Sequence, residues 1–408
     1  MKLNKLMTAM AVTGMSLSGV AMATNGMLAS GYGMVANGMG GAATAMSEDA
    51  FGGANNPASM AFVGNRVDFG ASLFSPRREA TSGAFQTTEQ SDSNYFVVPE
   101  FGYNRMLNPD LSLGVTVYGN GGMNANYAPL ANGSNLLGGI GRLGVDLMQL
   151  VIAPTAAYKI TPNHSFGVAP LLGYQRFKAE GLQAFGIDTN GSAPGGSNLG
   201  YDDAFGAGLR IGYMGKITPN LTVGAAYSTK VDMQKFKKYA GFFAEQGNLD
   251  LPENYDIGLA YKFTLDLTVA LDYQRINYSG VAAIGNPSNA GNYGANNGAG
   301  FDWHDIDVWK MGAEYKYNKN WIMRAGWNHG DNPVQAADVT FNTIAPGVIK
   351  DHLTMGTTYL TATGGELTVS YVHGFENSLT GQSMLNPGTT DTIRMHQDIL
   401  GVAYGWKM

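Results

Sequence analysis

The chain has 408 residues, of which 57 are Gly and none is Cys; 44% are hydrophobic, only 14% are charged, and the net charge is −6. Soluble globular chains average about 25% charged residues, and a helical membrane protein needs apolar runs of about 18 residues. With a mean hydropathy of −0.10 and no such run past the N-terminus, the chain fits neither class.

Taken in order, residues 1–23 read as a signal peptide. Lys2 and Lys5 make a basic start, 6–20 is apolar, and Ala21-Met22-Ala23 is a cleavage site of small residues. Its removal takes two lysines and moves the net charge to −8. Residues 24–64 are rich in Gly, Ala and Met and show no sustained alternation. Met27, Leu28, Met34, Val35, Met39 and Met46 make them too apolar for a solvated tail. They are expected to fold as a plug into the interior of the structure that follows.

From Asn65 the period is two. Val67, Phe69, Ala71 and Leu73 alternate with Asp68, Gly70 and Ser72; Trp309, Met311, Ala313 and Tyr315 alternate with Lys310, Gly312 and Glu314. The apolar segments are longer than soluble strands and carry aromatics near their ends, as a membrane girdle requires. Turn motifs recur at Asn108-Pro109-Asp110, Thr161-Pro162-Asn163 and Thr218-Pro219-Asn220, with looser forms at Thr264-Leu265-Asp266 and Asn318-Lys319-Asn320. Long Gly/Asn-rich connections lie between them, at 119–144, 181–198 and 280–300. Strands are predicted at 65–74, 94–106, 111–119, 146–160, 165–180, 201–217, 221–232, 253–263, 267–279, 303–317, 321–329, 351–361, 366–376 and 393–408. The expected fold is therefore all-β: a 14-stranded antiparallel transmembrane β-barrel over 65–408 with an N-terminal hatch at 24–64, in a bacterial outer membrane.

Several motifs resemble the FadL family of outer-membrane long-chain fatty-acid transporters and their hydrocarbon-uptake relatives. They are Gly38-Met39-Gly40-Gly41-Ala42-Ala43-Thr44-Ala45, Glu48-Asp49-Ala50, Asn56-Pro57-Ala58, Tyr174-Gln175-Arg176-Phe177-Lys178, Leu251-Pro252-Glu253, Arg324-Ala325-Gly326 with Asp331-Asn332-Pro333-Val334, and Tyr371-Val372-His373-Gly374. The last residue is Met408, two after Trp406, where the assembly machinery of such barrels reads a terminal aromatic. The resemblance implies uptake of a hydrophobic ligand, long-chain fatty acid first and monoaromatic or alkane hydrocarbon second. Ligand would pass from an extracellular apolar groove to a lumenal pocket. It would then leave sideways into the membrane, past lipopolysaccharide, through a kink in the third strand after the hatch moves.

Candidate ligand contacts are Met27, Leu28, Met34, Val35 and Met39 in the hatch, and Leu136, Leu137 and Ile140 in a long loop. The resemblance adds Arg176 and Lys178 for a carboxylate. Parity puts Arg176 on the outer face of its strand unless a bulge at Pro170 turns it inward. Candidate hatch and gate residues are Asn56, Pro57 and Ala58, expected to set a turn touching the kinked strand, with Pro99, Gly114 and Gly119. Parity sends Arg210, Lys310 and Arg324 into the lumen beside Asp68, Asp256, Asp272 and Glu314, where they are expected to pair among themselves. Six His and no G-x-S-x-G motif argue against an enzyme. No spacing suggests a metal site or cofactor. The acidic balance gives no footprint for nucleic acid. A general diffusion porin is the remaining alternative, and the apolar 24–64 stretch counts against it.

Overall fold

A computed structural model describes residues 25–187 and 196–408; the expected signal peptide at 1–23 and part of the expected connection at 181–198 lie outside these residues. Fourteen strands form the wall: β1 Arg66–Ser82, β2 Phe96–Met106, β3 Leu111–Tyr127, β4 Leu143–Thr161, β5 His164–Glu180, β6 Asp202–Lys216, β7 Leu221–Ser228, β8 Asn254–Lys262, β9 Leu267–Ile276, β10 Ile306–Lys316, β11 Trp321–Gly330, β12 Asp351–Leu360, β13 Gly365–Gln382 and β14 Thr390–Lys407. Each pairs antiparallel with its neighbour in sequence, and β1 closes the ring on β14 from Arg66↔Lys407 to Thr81↔Thr392. Short strands Thr87–Gln90 and Asp232–Met233 add to β1 and β6 at the long-loop end.

The alternation decides which solvent the wall faces. On β5, Phe166, Val168 and Leu172 are 52, 40 and 49% exposed, whereas Ala169 and Leu171 between them are buried. A sandwich buries its apolar face; this wall turns its apolar face outward all round, through Leu209, Ile257, Met311, Met355 and Leu400 among others. Only lipid makes that arrangement favourable. Tyr174, Tyr273 and Tyr371 stand at the long-loop end with hydroxyls on Asp203, Asp307 and Asp398, apolar rings facing lipid and wet tips facing water.

The repeated turns have one chemistry. The side-chain oxygens of Asn108, Thr218, Thr264 and Asn318 each accept from backbone N–H groups two and three residues on, which closes the short connections.

Three wall strands run further than their local sequence suggests; β13 passes residue 376 to Gln382, because Asn377–Gln382 still pair with β14. β1 continues past Leu73 through Pro76 to Ser82, because Ser75–Thr81 still pair with β14. β3 continues through Gly119-Asn120-Gly121-Gly122 to Tyr127, paired with β4. Pairing to a long neighbour outweighs the loop character of these residues.

Residues 25–64 lie inside the wall. They hold three short helices, α1 Met34–Gly38, α2 Gly52–Asn55 and α3 Met60–Val63, with a 3₁₀ turn at Pro57–Ser59. The N–H groups of Ala43 and Thr44 donate to Asp272 at 2.8 Å each, that of Ala50 to Asp68 at 3.0 Å, and that of Gly40 to Thr354 at 2.9 Å. Gly40 has φ +68°, and a side chain there would strike the backbone of Trp327. Opposite it, a Cβ on Gly326 would strike the backbone of Met39 and Gly40. Glycine on both sides allows backbone to lie on backbone.

Candidate functional site

The wall loses its pairing between β2 and β3. β2 and β3 pair from Met106↔Ser112 only as far as Phe101↔Val117. Beyond that, β2 residues 96–100 keep β1 as their only neighbour. Pro99 sits in this stretch, where a residue unable to donate a ladder bond is tolerated. β3 meanwhile loses its alternation: Tyr118, Asn120, Met123, Asn124 and Ala125 are all buried, so both faces of the strand are covered. A wall strand covered on both faces has turned into the lumen. The turn falls at Gly119, where the β3–β4 register shifts and Asn120 is the extra residue. Gly114 lies below it, paired with both Asn104 and Thr155, and so is outside the break.

The edge that β3 loses from β2 is covered from inside. Leu28 bridges to Gly121; the N–H of Ala29 donates to the Asn120 carbonyl at 3.2 Å, and the N–H of Gly122 donates to the Met27 carbonyl at 3.1 Å. Residues 27–29 thus act as a short strand added to the inward half of β3.

A cavity of about 30 Å³ lies beside this junction. Leu28, Tyr118, Val151, Leu171, Val231 and Leu251 line one side; Arg210, Asp256, Gln274 and Lys310 line the other. Tyr32 packs against Tyr118 with the rings tilted and centroids 4.2 Å apart, and its hydroxyl donates to Asn120 at 2.9 Å. The lumenal charges pair as parity implies: Arg210 with Asp256 at 2.8 Å, Lys310 with Asp256 at 3.7 Å, Arg324 with Glu314 at 2.7 Å, and Arg66 with Asp68 at 2.6 Å. Asp272 spends itself on the Ala43 and Thr44 amides.

A second cavity, also about 30 Å³, lies toward the long loops, between Gly26, Phe74, Met123, Trp303, Ala345, Pro346 and Met395. Arg78 is its only charged lining residue. Toward the loops lies an aromatic cluster, with Phe301, Phe341 and Phe242 of the loops and Phe177 of β5 fully buried.

Of the hatch residues named from sequence, Leu28 lines the central cavity and Met27 covers the β3 edge. Met34 and Met39 instead fill space against the wall, Met34 beside Ser72 and Ser370 and Met39 beside Gly312 and Gly326. Val35 lines a small cleft with Ala36, Met39 and Met46. Asn56-Pro57-Ala58 does set a turn: Asn56 accepts from the Ala58 N–H at 3.1 Å. It docks on β5 and β6 rather than on the kinked strand, since Asn56 donates to the carbonyls of Thr44 (2.7 Å) and Tyr213 (2.9 Å), and Ser165 donates to the Ala58 carbonyl at 2.8 Å. Leu136 and Leu137 are buried in their loop, and Ile140 is 74% exposed.

Arg176 and Lys178 are not lumenal. The β4–β5 ladder is interrupted where Pro154 faces Pro170, between Ile152↔Leu172 and Ala156↔Val168, and resumes in the same register. Without a bulge nothing turns Arg176 inward. It lies over the Tyr201 ring at 4.2 Å and 3.8 Å from Asp203, while its neighbour Phe177 is the buried one. Arg78 stands where Pro76-Arg77-Arg78 reads as the end of a strand; the parity of Phe74, carried four residues further, places it inward.

In the segment itself, Glu48 and Asp49 both have their acid groups pushed up to about 7, Glu48 mainly by the neighbouring Glu314 carboxylate and Asp49 mainly by burial.

A family model described as outer membrane protein transport protein (OMPP1/FadL/TodX) matches residues 10–396. Among solved structures, the Pseudomonas putida toluene transporter TodX superposes with TM-score 0.70 at 18% identity, covering 93% of this chain and 99% of that one. A Pseudomonas aeruginosa FadL homologue gives 0.72 at 15% identity, covering 94% and 99%. The Ralstonia pickettii toluene transporter TbuX gives 0.65 at 18% identity, covering 93% and 99%. No curated protein matches the chain. At these identities the superpositions establish the fold, and the match over nearly the whole sequence establishes the family: the chain belongs to the FadL/TodX family, integral outer-membrane β-barrels that are transport channels for hydrophobic compounds and not enzymes.

Proposed function

We propose that the chain takes up elongated hydrophobic compounds, long-chain fatty acids first, and releases them sideways into the outer membrane. Residues 25–64 serve as the hatch. The observation that carries this reading is the break between β2 and β3, whose inner edge is held by residues 27–29 of the hatch itself. Ligand is captured at the apolar loop surface that includes Ile140, next to the Leu136-Leu137 core. It then passes through the lumenal cavities and leaves beside Pro99 when the hatch residues withdraw from β3. Both cavities are too small for such a ligand as they stand, so passage requires the hatch to move. Each methylene held away from water is worth about 0.8 kcal/mol, and exit into lipid keeps that gain to the end. Lipopolysaccharide surrounds the upper girdle on this reading, and the assembly machinery engages the last strand near Trp406.

Uptake of monoaromatic or alkane hydrocarbons by the same route is the second reading, favoured by the structural likeness to two toluene transporters. Radiolabelled oleate and toluene uptake by cells with this chain as their only such channel separates the two. A planar bilayer tests the hatch: a plugged barrel conducts poorly. High, steady conductance without selective uptake would instead identify a diffusion pore and overturn the proposal.

A further inference from the structure

The short turns of an outer-membrane barrel face the periplasm, and the rim they form here carries a repeat that the uptake route does not use. Where four strands descend to that rim, their last N–H donates at 2.8 Å to the turn before the partner strand. Lys159 donates to the Asp110 carbonyl, Lys216 to that of Asn163, Lys262 to that of Asn220 and Lys316 to that of Asp266. The same position thus holds lysine on β4, β6, β8 and β10, and Leu360 on β12 ends the series. Parity turns all four toward the lumenal side of the rim, since Ala157, Met214, Ala260 and Glu314, two residues earlier on each strand, are buried inside. Lys159 and Lys216 stand over the Phe62 ring of α3, at 5.3 and 4.5 Å.

Their charge is unmet. Lys178, Lys230, Lys310 and Lys407 each have a carboxylate within 4 Å; among the described residues these four lysines have none. The Lys159 ammonium donates to the Pro109 carbonyl at 3.1 Å. Asp110 and Asp266 give the arc their carbonyls, not their carboxylates. Glu48 senses the Lys316 charge from inside and is itself crowded by Glu314. In a chain of net charge −6, four unpaired cations in one arc make a local field that attracts anions.

The direction of the arc says where the anion comes from. Lipid meets the outer face of this rim, where Tyr158, Tyr261, Tyr315 and Tyr317 stand exposed. The lysines are on the other face, open to the periplasm. Neighbouring strands lie about 4.8 Å apart, so lysines on every second strand recur at about 10 Å, over about 30 Å in all. Seven residues of an α-helix rise about 10.5 Å. We propose that the arc docks an acidic helix of a soluble periplasmic protein, with carboxylates two turns apart facing successive lysines. The proposal is independent of which compound the barrel takes up.

The test is fluorescence anisotropy of two labelled helical peptides on the full-length barrel in phosphatidylcholine nanodiscs. Both carry four glutamates; in one they recur at every seventh position, in the other they are clustered at one end. The spaced peptide should bind the more tightly, and its affinity should fall as salt rises. Replacing Lys159, Lys216, Lys262 and Lys316 together by Gln should weaken it about tenfold or more, because four exposed ion pairs of modest worth act together. Lys237→Gln, exposed at the opposite end, should change nothing. Heat-dependent gel migration checks each barrel; should the fourfold variant fail to form, Lys216→Gln with Lys262→Gln should show a smaller loss of the same sign. Wild-type protein that binds neither peptide, equal binding of the two, or unchanged affinity in the Gln variants overturns the proposal. So does native mass spectrometry in which wild type retains phosphatidylglycerol and the fourfold variant does not, which would give the arc to lipid.

Discussion

Asn56 offers the sharpest test that residues 25–64 are a separable unit held to the wall by specific bonds. Its side chain is fully buried and makes three hydrogen bonds, accepting from the Ala58 N–H and donating to the carbonyls of Thr44 and Tyr213. Asn56→Ala removes all three. A net hydrogen bond is worth about 0.5–1.5 kcal/mol, and stranding a buried partner raises the cost. The bond from the Ala58 N–H is also the cap of the Pro57–Ser59 turn, so its loss sits at the upper end of that range. Hatch docking should therefore weaken by about 3 kcal/mol, which is about a hundredfold in the opening equilibrium. The wall keeps its own ladders, since only the Tyr213 carbonyl on β6 loses a partner. Amide hydrogen exchange resolved by mass spectrometry reads both parts: peptides covering 44–60 should exchange about a hundredfold faster, and those from β9–β12 should not change. Asn56→Asp, which keeps the acceptor but sets a buried carboxylate oxygen against the Thr44 and Tyr213 carbonyls, should loosen the segment at least as much as Ala. Unchanged exchange at 44–60, or equal acceleration across the wall, would refute the reasoning.

The chain has no Cys, so Leu28→Cys with Gly121→Cys reports on one contact; opposed residues of an antiparallel pair lie about 4.5–5.5 Å apart, within disulfide range. Oxidation should abolish uptake and reductant restore it, and uptake that continues through the crosslink would show that residues 27–29 need not leave β3. Gly326→Ala should push the hatch backbone off β11 at a cost of about 1–3 kcal/mol, read as raised bilayer conductance with heat-dependent gel migration kept. Glu48 and Asp49 hold protons up to about pH 7 in the docked hatch, whereas exposed carboxyls lose theirs near 4. Docking is thus strongest at low pH, weakens as pH rises from about 4 to about 7, and is flat above. Exchange protection of residues 44–60, corrected for intrinsic rates, should be lower at pH 8 than at pH 5.5. Glu48→Gln with Asp49→Asn should remove the difference; protection that rises with pH would contradict the assignment.

The wall was readable because each side chain there answers to one of two solvents. Lipid demands apolar groups at every second position, so fourteen strands, their parity and the lumenal pairing of Arg210, Lys310 and Arg324 follow from alternation alone. What escaped is where pairing overrules composition. Gly119-Asn120-Gly121-Gly122 looks like a loop and is the middle of a strand, because β4 supplies a partner. Pro76 looks like a stop and is passed over, because β14 runs alongside. Arg176 was in doubt because a proline can either bulge a strand or merely interrupt its ladder, and the chain itself does not say which. The docking of Asn56 on β6 instead of β3 depends on how 25–64 coils inside the barrel, which no periodic pattern records.

The plug and the break make physical sense only together. An open sheet edge is forbidden in hydrocarbon, because unpaired N–H and C=O groups there cost several kcal/mol each. The barrel solves this for β3 by bending its outer half into the lumen, where residues 27–29 bond to Asn120–Gly122 and residues 91–92 to Asn126 and Tyr127. It eases the problem for β2 by shortening the exposed edge to residues 96–100 and placing in it Pro99, which has no N–H to lose. Residues 25–64 then do more than fill the lumen. Residues 27–29 bond the second edge of β3 at Asn120–Gly122, while Ser91 and Asp92 bond it at Asn126 and Tyr127, so withdrawal of 27–29 would bare the edge between them. On the proposed route, a ligand that displaces residues 27–29 would both clear the lumen and release the inward half of β3, so the bonds it breaks would be among those that keep a side exit closed.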